Sequence, residues 1–250
     1  MNTLLAACIF FTRLPLGRLG KVPPGAFRHI LARWSLTGWL TGGVTAGVLW
    51  LCARALPLPA ALVVALGARV CLTGALHEDA WADFLDGFGG GRTREQTLAI
   101  MKDSALGTYG LLGLVFYFLL LWSLLSAFPT ATACALVIGA DAWCKSIAAC
   151  LPNLLPYARG EAESKAGVVY EPMSRCGIVF SHLAGLLPLL VFLPPGLWVS
   201  ALFPLPVFFF MFRAMKKRLQ GYTGDCCGAV FVACESAFYL FAAVFYAITC

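Results

Sequence analysis

His77-Glu78-Asp79-Ala80-Trp81-Ala82-Asp83-Phe84-Leu85-Asp86-Gly87-Phe88-Gly89-Gly90-Gly91-Arg92 gathers four of the chain's twelve acidic residues into nine positions, directly after an apolar run that begins near Ala60. On a helix turning 100° per residue, Asp79, Asp83 and Asp86 fall within an arc of about 60°, with Glu78 about 80–100° to the side. Carboxylates so crowded repel one another, and the pattern calls for a compensating cation. The oxygen-only donor set of Glu78, Asp79, Asp83 and Asp86 has no Cys or second His nearby, which favours Mg²⁺ or Mn²⁺ over Zn²⁺. Gly87 reads as a helix stop, and Gly89-Gly90-Gly91 as a run that lets the backbone approach a bulky ligand. On a soluble helix the same spacing is most simply a solvated face. The apolar flanks weigh against that here, because acids at the end of a membrane helix are costly and as a rule functional.

Those flanks decide the fold class. The chain is 60% hydrophobic and 12% charged, with a mean hydropathy of +0.84. A soluble domain of this size carries about twice that share of charge. The expectation is an all-α, polytopic membrane helical bundle forming one integral-membrane domain over residues 1–250. Arg13 and Arg18 follow the apolar start instead of preceding it, which does not fit a cleavable secretory signal. Eleven cysteines include no CxxC pair and no Cys/His set at zinc spacing. Most lie in apolar runs, where Cys acts as a small hydrophobe, and Cys226-Cys227 reads as part of a polar loop. A net charge of +6 in so apolar a chain excludes nucleic acid as a natural partner; membrane lipid is the surrounding medium.

Residues 1–35 combine an apolar start with five cations and Pro15, Pro23 and Pro24, and read as an interfacial entry segment. Apolar runs follow near 36–53, 60–77, 108–128, 131–151, 178–193, 197–212 and 228–249, each near the length of about 20 residues that a span requires. That gives about seven spans, or six if the pair divided by Pro194-Pro195-Gly196 and interrupted by Pro204 and Pro206 counts as one. The N-terminus and segments 77–107, 152–177 and 213–227 then share one side and hold 15 of the 18 Lys and Arg residues, against only Arg54 on the other. The positive-inside rule puts the charged side in the cytoplasm.

Other candidates flank the acidic helix. Thr93-Arg94-Glu95-Gln96 matches a capping box that starts a short helix through about Asp103. Arg92, Arg94 and Lys102 supply the cations that phosphate recognition uses. Asp141 and Lys145, i and i+4 inside an apolar span, read either as a neutralised structural pair or as a phosphate-binding Lys with its orienting Asp. The segment from Tyr157-Ala158-Arg159-Gly160 to Arg175 carries both charge signs and is either a substrate cover or a linker. Arg213, Lys216, Lys217 and Arg218 read as a juxtamembrane anchor. Asp225 sits beside turn-forming glycines. Glu235 lies two turns into the last span, where an unpaired charge is expensive.

With these residues assembled, the chain resembles the cobalamin synthase family of adenosylcobinamide-GDP ribazoletransferases over essentially its full length. The resemblance is carried by Phe11-Thr12-Arg13-Leu14-Pro15, Gly74-Ala75-Leu76-His77-Glu78-Asp79, Ala82-Asp83, Asp86-Gly87, Gly89-Gly90-Gly91-Arg92, Met101-Lys102-Asp103-Ser104 and Gly107-Thr108-Tyr109-Gly110, and further on by Tyr157-Ala158-Arg159, Thr223-Gly224-Asp225 and Gly228-Ala229. It implies an inner-membrane enzyme that joins adenosylcobinamide-GDP to α-ribazole, or to its 5′-phosphate, with release of GMP and a requirement for Mg²⁺. Under this reading Glu78, Asp79, Asp83 and Asp86 hold the metal, while Asp83, Asp86 and Lys145 are catalytic. Gly89, Gly90, Gly91, Arg92, Arg94, Lys102, Arg159 and Asp225 meet the substrates. Three departures stand out: Lys145 where the family commonly has Arg, Val232 where some members carry an acid, and the bulk of Trp81, Phe84 and Phe88. Two other classes share features with the chain. A CDP-alcohol phosphotransferase needs a DG-xx-AR motif that nothing upstream of Gly74 supplies. A transporter would place its charges near the midplane, whereas most acids here gather at one face.

Overall fold

The computed structural model describes residues 2–160 and 167–249, and helices dominate it. Helix α1 (Asn2–Phe11) and two 3₁₀ segments (Leu16–Leu19, Pro24–Arg33) form the entry. They lead to α2 (Trp34–Cys52), α3 (Leu58–Thr73), α4 (Leu76–Gly90), α5 (Arg94–Lys102), α6 (Thr108–Ser126), α7 (Thr130–Ala148) and the short α8 (Leu151–Leu154). Helix α9 (Arg175–Phe192), a 3₁₀ segment (Pro195–Leu202), α10 (Pro204–Arg218) and α11 (Gly224–Thr249) complete the order. The described residues contain no strand, only an isolated parallel bridge between Tyr157 and Tyr222. Six helical stretches are long and apolar enough to cross a membrane, and seven if the bent pair α3–α4 counts as one span. The middle of the expected polar loop, 161–166, lies outside the described residues.

Helix α7 is central, and small residues make it so. Cβ atoms at Gly38 and Gly42 of α2 would meet the α7 backbone at Ala142 and Ile138, at 2.6 and 3.0 Å. Flanking those glycines, the hydroxyls of Thr37 and Thr45 donate to the carbonyls of Trp34 and Thr41 (2.7 Å each). Small residues replace hydrophobic drive where lipid is as apolar as the helix. Large apolar side chains point outward instead, among them Val63, Phe116, Leu183 and Phe210, as lipid-facing surfaces require.

The turn that matters most lies between α3 and α4, whose axes differ by 88°. The expected single span over 60–77 is therefore broken at Gly74 and Ala75, with φ of +67° and +58°. Ala75 pays a steric cost of roughly 1–2 kcal/mol for the left-handed conformation. Arg13 braces the corner: its N–H donates to Leu72 O at 2.7 Å, and its guanidinium lies where a Cβ on residue 74 would go. The acidic helix thereby leaves the direction of the span and runs across one end of the bundle.

Two further local expectations are corrected. Gly87 does not stop α4, which continues to Gly90 with Gly91 as its cap. Any Cβ at Gly87 would strike Met101 of α5, so close helix approach accounts for that glycine. Cys226 and Cys227 lie buried in the first turn of α11, not in a polar loop.

Candidate active site

Helix α4 carries the acids, and packing sorts them by depth. Glu78, Asp83 and Asp86 are buried while Asp79 is exposed. Glu78 turns inward and pairs with Arg69 of α3 across the corner, 3.6 Å, leaving Oε2 without a partner among the described residues. Asp86 turns toward the start of α6, where its two oxygens accept N–H bonds from Gly107 (2.8 Å) and Gly110 (2.9 Å). It therefore caps α6 from a distance, satisfying donors that a helix start leaves open. A side chain at Gly107 or Gly110 would collide with that carboxylate. The four acids thus share one helix but not one centre: among the described residues no three His, Cys, Asp or Glu side chains form a metal-sized group.

Around α4 a corner is laced together largely through arginines. Thr93 caps α5 by accepting from Gln96 N, and Gln96 Oε1 accepts in turn from Arg92 N, so the capping box closes one residue earlier than its standard form. Arg94 donates to Leu219 O (2.8 Å) and Ala158 O (2.6 Å), and Arg159 to Leu98 O (2.8 Å). Arg218 donates to Gly91 O and lies over the Phe88 ring. Arg94 and Arg159, expected to meet the substrates, thus have donors committed to backbone carbonyls. Arg92 and Lys102 stay exposed. The glycine run is likewise spent on protein contacts in part: Cβ atoms at Gly89 and Gly91 would run into the Tyr109 ring and Thr97, whereas Gly90 has room beside Ile100.

The start of α11 completes this end of the molecule. Ala158 N donates to Tyr222 O and Tyr222 N to Pro156 O, while the Tyr222 hydroxyl donates to Tyr170 O at 2.9 Å. Burial pushes both phenols well above their ordinary pKa, so they stay neutral. Gly228 lies against Ala80 and His77. Between α1, α4 and α11 a cavity of about 50 Å³ is bordered by Phe10, Trp34, His77, Tyr170 and Asp225. That space suits a water or one hydroxyl and is far below the size of a nucleotide.

Deeper in the bundle, polar side chains form two clusters. Lys145 pairs with Asp141, and both are closed off by Thr41, which accepts from Lys145 Nζ (2.7 Å) and donates to Asp141 Oδ2 (2.8 Å). Lys145 also sits 5.0 Å from the Phe231 ring and is only 1% exposed. The structure thus does not bring Lys145 to the open face of α4. In the second cluster Arg69 pairs with Glu235 at 2.6 Å and donates to the Tyr117 hydroxyl; Tyr117 and Tyr239 donate to Glu235 at 2.8 and 3.0 Å. Arg69, Tyr117, Tyr239 and Thr41 went unassigned by sequence reasoning. A signal existed for one pairing, since a single cation in one apolar span and a single acid in another need each other.

The model of the cobalamin-5-phosphate synthase family matches residues 3–243. An adenosylcobinamide-GDP ribazoletransferase from Leptothrix cholodnii is 38% identical over 244 residues, covering 92% of this chain and 90% of the relative. Enzymes of the same name from Ralstonia pickettii and Shewanella frigidimarina are 36% and 34% identical, over 91% and 96% of this chain and 89% and 93% of theirs. No solved structure matches. With a family match spanning almost every helix described above, the chain belongs to the cobalamin-5-phosphate synthase family.

Proposed function

We infer that the protein is an adenosylcobinamide-GDP ribazoletransferase: it joins adenosylcobinamide-GDP to α-ribazole or its 5′-phosphate and releases GMP. The near-full-length agreement with enzymes of that name carries the reading. A ribazole hydroxyl attacks the cobinamide-bound phosphorus, the bond to GMP breaks, a phosphodiester forms, and the hydroxyl proton leaves to a base. The reaction therefore needs neutralised phosphoryl oxygens, a held leaving group and a proton acceptor.

The donors fit Mg²⁺ in a specific way. Mg²⁺ at phosphates is bound through one or two carboxylates and completes its shell with water and phosphate oxygens. Asp79 and Asp83, one turn apart with Asp79 exposed, suit that role, while Glu78 is held by Arg69 and Asp86 by two backbone N–H groups. Once bound there, the metal would neutralise charge on the pyrophosphate. Exposed Arg92 and Lys102 meet the phosphates at the rim. Asp86, its oxygens taken by backbone donors, positions α4 against α6. Asp225, at the start of α11, faces the same end of the bundle. The loop-charge asymmetry supports a cytoplasmic position for this end, in a bacterial inner membrane.

The test is GMP release from adenosylcobinamide-GDP by purified protein, with and without α-ribazole, across a Mg²⁺ titration. Release should require ribazole and Mg²⁺, and Asp83→Asn should lower turnover by at least about 100-fold. Failure of the wild type to release GMP sinks the assignment. Near wild-type turnover of Asp83→Asn at limiting Mg²⁺ sinks the metal site alone.

A further inference from the structure

Two buried carboxylates of α4 are each tied to a different neighbour. Asp86 grips the start of α6, near the C-terminal end of α4. Glu78, near the N-terminal end, meets Arg69. Arg69 does not hang loose in α3: its guanidinium is held by Glu235 of α11 and Tyr117 of α6, and Tyr239 adds a bond to the same Glu235 oxygen. All of these side chains are at least nine-tenths buried. A planar fork fixed on one edge presents its remaining donors in a set direction.

The tie crosses the corner between α3 and α4. Between Arg69 and Glu78 lies the 88° corner, built on Gly74 and a left-handed Ala75, with no continuous helical hydrogen bonding to set how α4 rotates about its own axis. Successive residues of a helix are 100° apart, so fixing Glu78 inward fixes where Asp79 and Asp83 point. We propose that Arg69, clamped by Glu235 and Tyr117, is a positioning residue: through Glu78 it sets the rotation of the acidic helix and so aims its reacting carboxylates. This rests on the reading that α4 presents the reacting face. It removes Glu78 from the metal shell and gives the intramembrane Glu235 a purpose beyond balancing a charge.

The charge balance supplies a clean variant. Arg69 faces two carboxylates, so Glu78→Met leaves Arg69 and Glu235 as a neutral pair, and the bundle has no new uncompensated charge. Spin labels at Val63, exposed on α3, and Gly90, at the open end of α4, would report the corner by pulsed dipolar spectroscopy on a variant whose other cysteines are replaced. The expected result for Glu78→Met is a broadened label-to-label distance distribution without substrate or metal, unchanged thermal unfolding, and turnover lowered about 100-fold, the scale of a misaimed catalytic group. Arg69→Lys, which keeps the charge but not the fork, should fall between wild type and Glu78→Met in both readouts. An unchanged distribution with lowered turnover would overturn the proposal and return Glu78 to direct contact with metal or substrate. Unchanged values of both would overturn it as well. Should Glu78→Met fail to fold, Glu78→Gln carries the same comparison. The distance arm is read without the reaction, so a protein that releases no GMP would refute the proposed activity and leave this measurement standing.

Discussion

At the scale of single residues, the contrast between Lys145 and Asp86 shows how burial reassigns chemistry. Lys145 has its ammonium enclosed by Asp141, Thr41 and a ring. Lys145→Met strands a buried carboxylate, which costs about 3–5 kcal/mol; Lys145→Met with Asp141→Asn removes both charges. The double variant should recover both thermal stability and GMP release relative to the single one. A double variant that is folded yet inactive would return Lys145 to the reaction. For Asp86 the expectation runs through α6: Asp86→Ala orphans the Gly107 and Gly110 N–H groups and should destabilise the protein by roughly 1–3 kcal/mol, whereas Asp83→Asn should not. Thermal unfolding in detergent without metal compares the two. The sequence showed which acids sit on which arc of α4, because helical angles follow from spacing. It did not show that Asp86 faces backbone donors some 20 residues on, since those become donors only when Gly107 and Gly110 start a helix against it.

At the scale of elements, α5 is the part most fully readable in advance. Its capping box set the start at Arg94, and the end at Lys102 falls beside the expected Asp103. What spacing could not give is the partner of each arginine. Arg94 bridges two carbonyls from distant segments, a task suited to a forked donor and poorly met by a point charge. Arg94→Lys should therefore speed amide hydrogen exchange across α5 by at least about tenfold, corresponding to roughly 1.4 kcal/mol of lost local stability. If Arg94 instead serves phosphate alone, substrate KM will rise and α5 exchange will not change. The α3–α4 corner was opaque for a related reason. An apolar run into Gly-Ala looks like a continuing span, and Arg13, which braces the turn, lies some sixty residues earlier.

At the scale of the whole molecule, the span order read from hydropathy agrees with the helices found except at the broken run 60–77, and the weakest pair resolves into α9 and a 3₁₀ segment leading to α10. Topology itself rests on loop charge. With the charged face cytoplasmic, an impermeant thiol reagent on intact cells should label Leu56→Cys and leave Gly160→Cys unlabelled on a cysteine-replaced background; both sites are exposed. Labelling at Gly160→Cys would invert the protein. Long-range pairs such as Arg69 with Glu235, 166 positions apart, were hidden because hydropathy ranks each span separately and says nothing of which spans touch.

The right-angle corner also bears on the lipid. Helix α3 has 16 residues, about 24 Å of rise, against a hydrocarbon thickness of about 30 Å. Since α4 turns away from the span direction, it adds little to that length. A span this short is accommodated by thinning the bilayer beside it. The headgroup plane would dip around α3, and the shelf formed by α4 would meet water at a depth where neighbouring spans are still in acyl chains. Hydrophobic mismatch would then bring large water-soluble nucleotides to an acidic face without an aqueous channel through the bundle.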